Sequence, residues 1–224
     1  IMSIRIVIVS DVACPWCAVG LASLERALER VGNSVSVELH FQPFELNPDM
    51  SPEGEDATQH LMKKYGLSEA QVVANRDRIC DRGAEVGFEF HPMGRGRVHN
   101  TFKAHLLLQW AEESQAPGAQ LKLKKAFLRA HQGQALNIND DQVLLDCVAQ
   151  AGLDTAQAQE ALKHPGALTQ TVRERQDHYR QAGIHSVPAF IFDQQYLISG
   201  GQPVEVFEQA LMQLAASNPP SSSA

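Results

Sequence analysis

The chain has 224 residues, with 19 Lys and Arg against 26 Asp and Glu and a formal net charge of −7. Hydrophobic residues make up 44% and charged residues 20%, the balance of a globular domain that can bury a core without disulfide help. An acidic chain with no basic block excludes nucleic acid and anionic membrane as natural partners, and no apolar run approaches the ~20 residues of a membrane helix.

Residues 4–9, Ile-Arg-Ile-Val-Ile-Val, predict a buried strand from their length and β-branching, not a secretory signal. Met2 reads as the natural start. A turn at Asp11–Ala13 leads into a helix with Leu21, Leu24, Leu28 and Val31 at helical spacing, stopped by Gly32-Asn33. Across residues 34–44, Val35, Val37, Leu39 and Phe41 alternate with polar neighbours, as in a half-buried strand. Strand, helix and strand in so short a stretch predict a βαβ unit with parallel strands.

Residues 45–56, rich in Pro, Asp and Glu, are the expected boundary loop. From 57 to 164 the pattern is helical throughout, capped by Ser68, Asn100, Asp140 and Asp154, with no repeating period. Residues 169–183 predict a helix ended by Gly183. Residues 189–192 and 196–199 bracket Asp193-Gln194-Gln195 as a β-hairpin. A last helix is expected from Pro203, with Val204, Phe207, Leu211 and Leu214 on its apolar face. The end of the chain, 219–224, reads as a disordered tail. This order predicts an α/β protein with a thioredoxin-like fold and a large all-helical insertion domain. The thioredoxin-like domain would be discontinuous, residues 1–48 and 168–218, around an insertion of residues 49–167.

Cys14-Pro15-Trp16-Cys17 follows the first strand and opens the first helix. Residues i and i+3 on a helical turn lie about 5–6 Å apart, the Cα separation a disulfide takes. Pro15 suits the first helical position, where a missing N–H costs little. At the helix N-terminus, unpaired N–H groups and the positive end of the dipole favour a Cys14 thiolate. Cys17, one turn in, is less exposed and less acidified. Cys14 is therefore expected to attack and Cys17 to resolve the mixed disulfide. A zinc knuckle would need two more ligands at suitable spacing, so no metal is expected. A purely structural bridge over four residues would remove little entropy from the unfolded chain. Cys80 and Cys147 stand alone in separate helical segments and read as buried thiols.

Other candidates surround the pair. Val187-Pro188 stands before a strand, where a thioredoxin fold places a cis proline facing such a motif, and the Val187 backbone could pair with an extended peptide or a tripeptide thiol. Trp16 offers a flat apolar surface beside the sulfur. Asp11 is either a proton acceptor for Cys17 or a helix cap. Gly201 and Gln202 lie in a glycine-rich helix start that suits a carboxylate.

Five stretches, SDVACPWCAVG, FQPFELNPDMSPEG, NTFKAHLLLQWA, LNINDDQVLLDCVAQAGLD and GIHSVPAFIF with SGGQP, match in order and spacing. Together they resemble the FrnE-type DsbA-like oxidoreductases over essentially the whole chain. The same superfamily contains glutathione-dependent 2-hydroxychromene-2-carboxylate isomerases and kappa-class glutathione transferases, which typically carry serine where Cys14 stands. The resemblance implies thiol–disulfide activity with Cys14 as nucleophile, Cys17 as resolving thiol and Pro188 as cis proline. It also turns the helix bearing Asn100 and His105 toward the active-site cleft, with His105 a second candidate for proton transfer. Trp16 replaces the histidine of DsbA, which implies a weaker oxidant. The expected partners are protein dithiols or disulfides, or glutathione as co-substrate, with no tightly bound cofactor. The chain is expected in the cytoplasm, as a monomer or homodimer. The alternative is a glutathione-dependent isomerase or kappa-type transferase of a small aromatic or polyketide-like molecule.

Overall fold

The computed structural model describes residues 3–217. The expectations for Met2 and for the tail lie outside these residues. A four-stranded sheet runs in the order β2-β1-β5-β6. Its central strand, β1 (Ser3–Ser10), pairs in parallel with β2 (Ser36–Pro43), with Ile4 opposite Val37 and Ile8 opposite Phe41. On its other side β1 runs antiparallel to β5 (Ala189–Phe192), which turns into β6 (Tyr196–Ser199). The hairpin turn takes positive φ at Asp193 (48°) and Gln194 (58°), the handedness that matches strand twist. Arg5 N–H donates to Asp193 Oδ1 at 2.8 Å, fastening this turn to the central strand.

β1 is buried on both faces because both faces are covered. Ile4, Ile6 and Ile8 meet α1 (Pro15–Val31) and α9 (Val204–Ser217), through Leu21, Leu24, Phe207, Leu211 and Leu214. Phe190 and Phe207 meet edge-to-face with ring centroids 4.8 Å apart, worth about 0.5–1.5 kcal/mol beyond the area buried. Val7 and Val9 face the other way, onto Phe44, Ile184 and Ala189. Gly20 permits α1 to lie close on β5: a Cβ there would stand 3.0 Å from Phe190 and 3.1 Å from Pro188.

Seven helices separate β2 from β5: α2 (Ala57–Tyr65), α3 (Glu69–Val86), α4 (Phe102–Ser114), α5 (Ala119–Leu128), α6 (Asp141–Gln150), α7 (Thr155–Lys163) and α8 (Ala167–Gln181). Ser68, Asp140 and Asp154 cap their helices by accepting from backbone N–H groups, and Ser68 does so in a reciprocal box with Gln71. Before α4 the cap residue is Thr101, and the Asn100 side chain accepts from Phe102 N–H at 2.9 Å instead. The stretch also holds a two-residue antiparallel bridge, β3 (Glu55–Asp56) with β4 (Arg97–Val98). Two turn residues, Gly54 and Gly96, flank it at positive φ. α9 starts at Val204, one residue after Pro203.

The segment after β2 is anchored, not slack. Its Glu45 is 4% exposed, and the Glu45 carboxylate accepts from Gln176 of α8 at 2.8 Å. Leu46 N–H is taken up by Asp11. One continuous apolar cluster extends from the sheet through α1 to α4, α5 and α6. Among the described residues, no helix is long and apolar enough to cross a membrane.

Candidate functional site: a buried dithiol held from two sides

β1 ends at Ser10, and the chain turns through Asp11–Cys14, with Cys14 N–H bonded to the Asp11 carbonyl at 3.1 Å. Cys14 takes the N-cap position of α1 in an extended conformation, with Pro15 beginning the helix. Cap positions usually carry Ser, Thr, Asp or Asn, whose oxygen satisfies an orphan N–H. Here a sulfur stands in that place, the first turn of α1 contains no acid, and the helix end is left to favour negative charge on the sulfur.

Cys14 and Cys17 are both free thiols, 5% and 2% exposed. Their acidities are driven apart. The Cys17 thiol donates to the Cys14 sulfur, and this, against the cost of burial, pulls Cys14 below the ordinary thiol range; the N–H groups of Cys17 and Trp16 help, and the Asp11 charge opposes. Burial pushes Cys17 well above that range, and its donated hydrogen bond and the Cys14 charge push it further. The buried ammonium of Lys124, on α5, works the other way on Cys17. When protonated, Cys14 points its thiol at the Val187 carbonyl, 3.6 Å away, and the Val187–Pro188 peptide bond is cis.

Beneath the pair lies a layer of buried polar side chains. Asp11 is fully buried and accepts from Leu46 N–H at 2.8 Å, Ala13 N–H at 3.4 Å and His105 Nε2 at 3.2 Å. Burial raises its carboxyl, but the hydrogen bond and charge of His105, with Leu46 and Thr101, more than reverse this and hold it at about 2. An ionised carboxylate only accepts, so His105 must carry its proton on Nε2. Lys124 is 1% exposed with its ammonium 5.6 Å from the centre of the Phe41 ring. Burial lowers its pKa, and the charges of Cys17, Asp11 and Cys14 offset that.

The turn before Cys14 is gripped from the helical side. Gln132 donates to the Val12 carbonyl at 2.8 Å, and Arg95 donates to the Ala13 carbonyl. Gln132 reaches it from a π-type turn, Arg129–Gly133, that continues α5; Arg95 reaches it from a loop between Gly94 and Gly96, both at positive φ. Burial lowers the Arg95 pKa while the charges of Cys14, Asp11 and Tyr65 support its cationic form. Two buried histidines adjoin this region, His99 and His131, with rings 6.0 Å apart. Burial takes His131 down to about 3 and also lowers His99, so both are neutral at ordinary pH.

The remaining sequence candidates fall in different places. Trp16 is half-buried and lies over Gly201, where a Cβ would come within 2.9 Å of its ring. The Gly201 carbonyl accepts from Arg82 at 3.3 Å. Gln202 spends its amide on the Ser199 carbonyl of its own turn, and that turn is tied to the Pro188 carbonyl through Gly200 N–H at 2.8 Å. Asn100 spends both ends on backbone, Phe102 N–H and the Met50 carbonyl. Cys147 points to the Ala126 carbonyl at 3.7 Å, and burial pushes its pKa up to about 11. Arg95, Lys124 and Gln132 were not among the sequence candidates. The sequence signal concerned Lys124 alone: its helical spacing with Phe127 and His131 puts it in phase with a buried face.

A strand, a CxxC at a helix start and a cis X-Pro bond beside it are joined by a match of residues 5–212 to the family model "DSBA-like thioredoxin domain". The chain belongs to this DSBA-like family. Within it, or close to its fold, stand three proteins. The uncharacterized protein YwbO of Bacillus subtilis (strain 168) is 29% identical over 215 residues, covering 94% of this chain and 96% of YwbO. The probable DsbA oxidoreductase SCO1869 of Streptomyces coelicolor is 35% identical in a crystal structure that superposes with a TM-score of 0.84, covering 99% of this chain and 94% of that one. The cytosolic disulfide reductase DsbM of Pseudomonas aeruginosa shares the fold at 17% identity, with a TM-score of 0.65 over 96% of this chain and all of the other (100%). The DSBA-like chain is thus a thioredoxin-fold protein of an oxidoreductase family.

Proposed function

We propose that this protein is a FrnE-type thiol–disulfide oxidoreductase in which Cys14 and Cys17 exchange with protein or small-thiol substrates. The observation that carries this is the placement of two free thiols one helical turn apart at the start of α1, with Cys14 at the helix cap facing the Val187 carbonyl of the cis Val187–Pro188 bond. Cys14, as thiolate, attacks a substrate disulfide, and the released half leaves as a thiolate. Cys17 then attacks the Cys14 sulfur of the mixed disulfide, its proton passes to the departing thiolate, and the pair ends oxidised with the substrate reduced by two electrons. The reverse sequence oxidises a dithiol.

The buried layer divides the supporting work. Lys124 faces Cys17 with the charge that eases its deprotonation during resolution. Asp11, held at about 2, is a poor acceptor for a thiol proton; with His105 it orders the turn and the Leu46 segment. Trp16 over Gly201 and the Val187 carbonyl line the two sides from which a peptide or glutathione would approach Cys14. The domain division expected from the sequence would then place the thiols on the thioredoxin-like part and Lys124, His105, Arg95 and Gln132 on the insertion. The likeness to a protein described as a cytosolic disulfide reductase supports a cytoplasmic setting, in which glutathione would serve as co-substrate.

The test is the equilibrium of the Cys14–Cys17 pair in graded glutathione buffers, read by alkylation and mass. A single two-electron transition is expected. No disulfide at any poise, with glutathione bound non-covalently, would overturn the reading in favour of a glutathione-dependent isomerase or transferase.

A further inference from the structure

Beside the motif, on the insertion side, a pocket of about 120 Å³ opens between α2, α3 and the loop that carries Arg95. Pro15, the residue after Cys14, forms part of its wall. Leu61, Val72, Ile79, Phe90 and Met93 give it an apolar lining. Its size is informative. An apolar cavity of roughly 150 Å³ takes one benzene, whereas pockets for drug-sized molecules run to roughly 300–1,000 Å³. This one holds a single ring or a branched alkyl group.

Its charge is more informative. Two guanidinium groups, Arg76 and Arg95, lie on the lining, and none of the described lining residues is Asp or Glu. In a chain of net charge −7 that is a local reversal. Neither arginine is fully used. Arg95 has one nitrogen on the Ala13 carbonyl, and Arg76 has one on the Met93 carbonyl at 3.3 Å. The Arg76 Nε is buried with no hydrogen-bond partner among the described residues; its one acidic neighbour, Asp77, lies 3.8 Å away and off the lining. Arg76 meets the Asp77 carboxylate only at 3.8 Å, and Arg95 feels the charges of Cys14 and Asp11 while its hydrogen bond goes to a carbonyl, so both keep N–H groups for a further anion.

We infer that this pocket binds a compact aromatic or branched apolar group bearing a carboxylate, as part of a low-molecular-weight disulfide or thiol presented to Cys14. An internal polypeptide residue offers either an apolar side chain or an acid, not both on one unit, so the pairing of one small pocket with two guanidinium groups favours a small acid. The inference deepens the exchange reading and rests on it for the sulfur chemistry alone. With the acid on Arg76 and Arg95, the Cys14 thiolate bonds to the near sulfur, the substrate S–S bond breaks, and the far half leaves as a thiolate. Cys17 completes the two-electron reduction as above.

Cys80 also lines the pocket, half-buried, and gives a readout independent of turnover. In the double variant Cys14→Ser/Cys17→Ser, Cys80 alkylation by iodoacetamide is followed by mass, with buried Cys147 as the unfolding control. At millimolar levels, 4-methylbenzoate is expected to slow Cys80 labelling at least fivefold and to raise Tm, whereas the neutral 4-methylbenzamide slows it less than twofold. Arg76→Gln or Arg95→Gln should abolish the carboxylate's advantage. Equal protection by acid and amide, or no protection and no Tm shift with the acid, would overturn the inference. In single-turnover reactions of the reduced protein with Cys14 and Cys17 intact, Arg95→Gln should lower the rate with 5,5′-dithiobis(2-nitrobenzoate) about tenfold relative to the rate with uncharged 4,4′-dithiodipyridine, scaling with one lost charge contact. An unchanged ratio would also overturn it. A wild type that reacts with neither disulfide yet shows carboxylate-specific protection of Cys80 would refute the exchange reading and keep the pocket.

Discussion

Replacing Asp11 by Asn tests the buried layer most directly. The side chain is fully buried, so solvent does not screen what it gains from its partners. Its carboxyl titrates at about 2 in the folded protein against an ordinary 3.8. At 1.36 kcal/mol per pH unit, that difference stabilises the fold by about 2 kcal/mol at neutral pH. The sign follows from a depressed acid: the stabilisation is present above the unfolded carboxyl's pKa and fades as pH falls toward 2. Asn keeps the shape and can still accept from Leu46 N–H, but it turns an amide donor toward Ala13 N–H or the His105 Nε2 proton. Asp11→Asn should therefore lower Tm by about 4–8 °C at pH 7, given roughly 2–4 °C per kcal/mol in a domain of this size. The gap between wild type and variant should narrow as pH approaches 2. The same change removes the charge that pushes Cys14 up, so the pH midpoint of Cys14 alkylation should move lower. The assays are thermal melts of the reduced protein across pH and iodoacetamide rates resolved by mass. A Tm loss that does not shrink in acid, or a Cys14 midpoint that moves up, would refute the assignment of Asp11 as a positioning carboxylate.

Three further changes have opposite signatures on stability and chemistry. Cys17→Ala removes the donor that acidifies Cys14 most, so the Cys14 alkylation midpoint should rise toward 9.0 and mixed disulfides should accumulate on mass spectra. Lys124→Met takes away the cation that eases Cys17 deprotonation, and should slow resolution of a preformed mixed disulfide severalfold. Because the same change removes a buried charge, Tm should hold or rise; a fall in Tm without slower resolution would count against a role for Lys124. Gln132→Leu leaves the Val12 carbonyl without its 2.8 Å donor and should cost about 1–3 kcal/mol in urea denaturation.

Much of the framework was legible because it is written in local pattern. The runs AFIF and YLIS became β5 and β6 at the expected boundaries, since alternation and a turn of three polar residues leave little choice of register. The parallel pairing of β1 with β2 followed from the short βαβ spacing. The CxxC pair was legible for the same reason: its chemistry comes from a helix start four residues long. What surrounds it was not. Arg95 meets Ala13 across 82 positions and Gln132 meets Val12 across 120, and no periodicity encodes such a meeting. Lys124 sits among Lys122 and Lys125, alike in residue type, and only its helical phase with Phe127 and His131 sets it apart as the buried one. Asn100 illustrates the reverse: a residue type that suggests a cap or a cleft is consumed by two backbone groups, and Thr101 takes the cap position.

The π-type turn at Arg129–Gly133 makes chain length itself part of the site. Its hydrogen bonds run wide, with Gln134 N–H reaching Arg129 and Leu136 N–H reaching the Ala130 carbonyl, both at 2.9 Å. An α-helix advances about 100° per residue, so one residue more or fewer turns everything after it to a new face. Gln132 and His131 point where they do because this helix carries a phase slip, and the Gln132 carbonyl, at 3.0 Å from His91 N–H, passes that phase on to the loop of Arg95. A single deletion here would leave every side chain chemically intact and still release the turn that presents Cys14. In lineages of this fold, gaps in this segment should therefore be rarer than substitutions, as teeth in a gear are easier to recut than to remove.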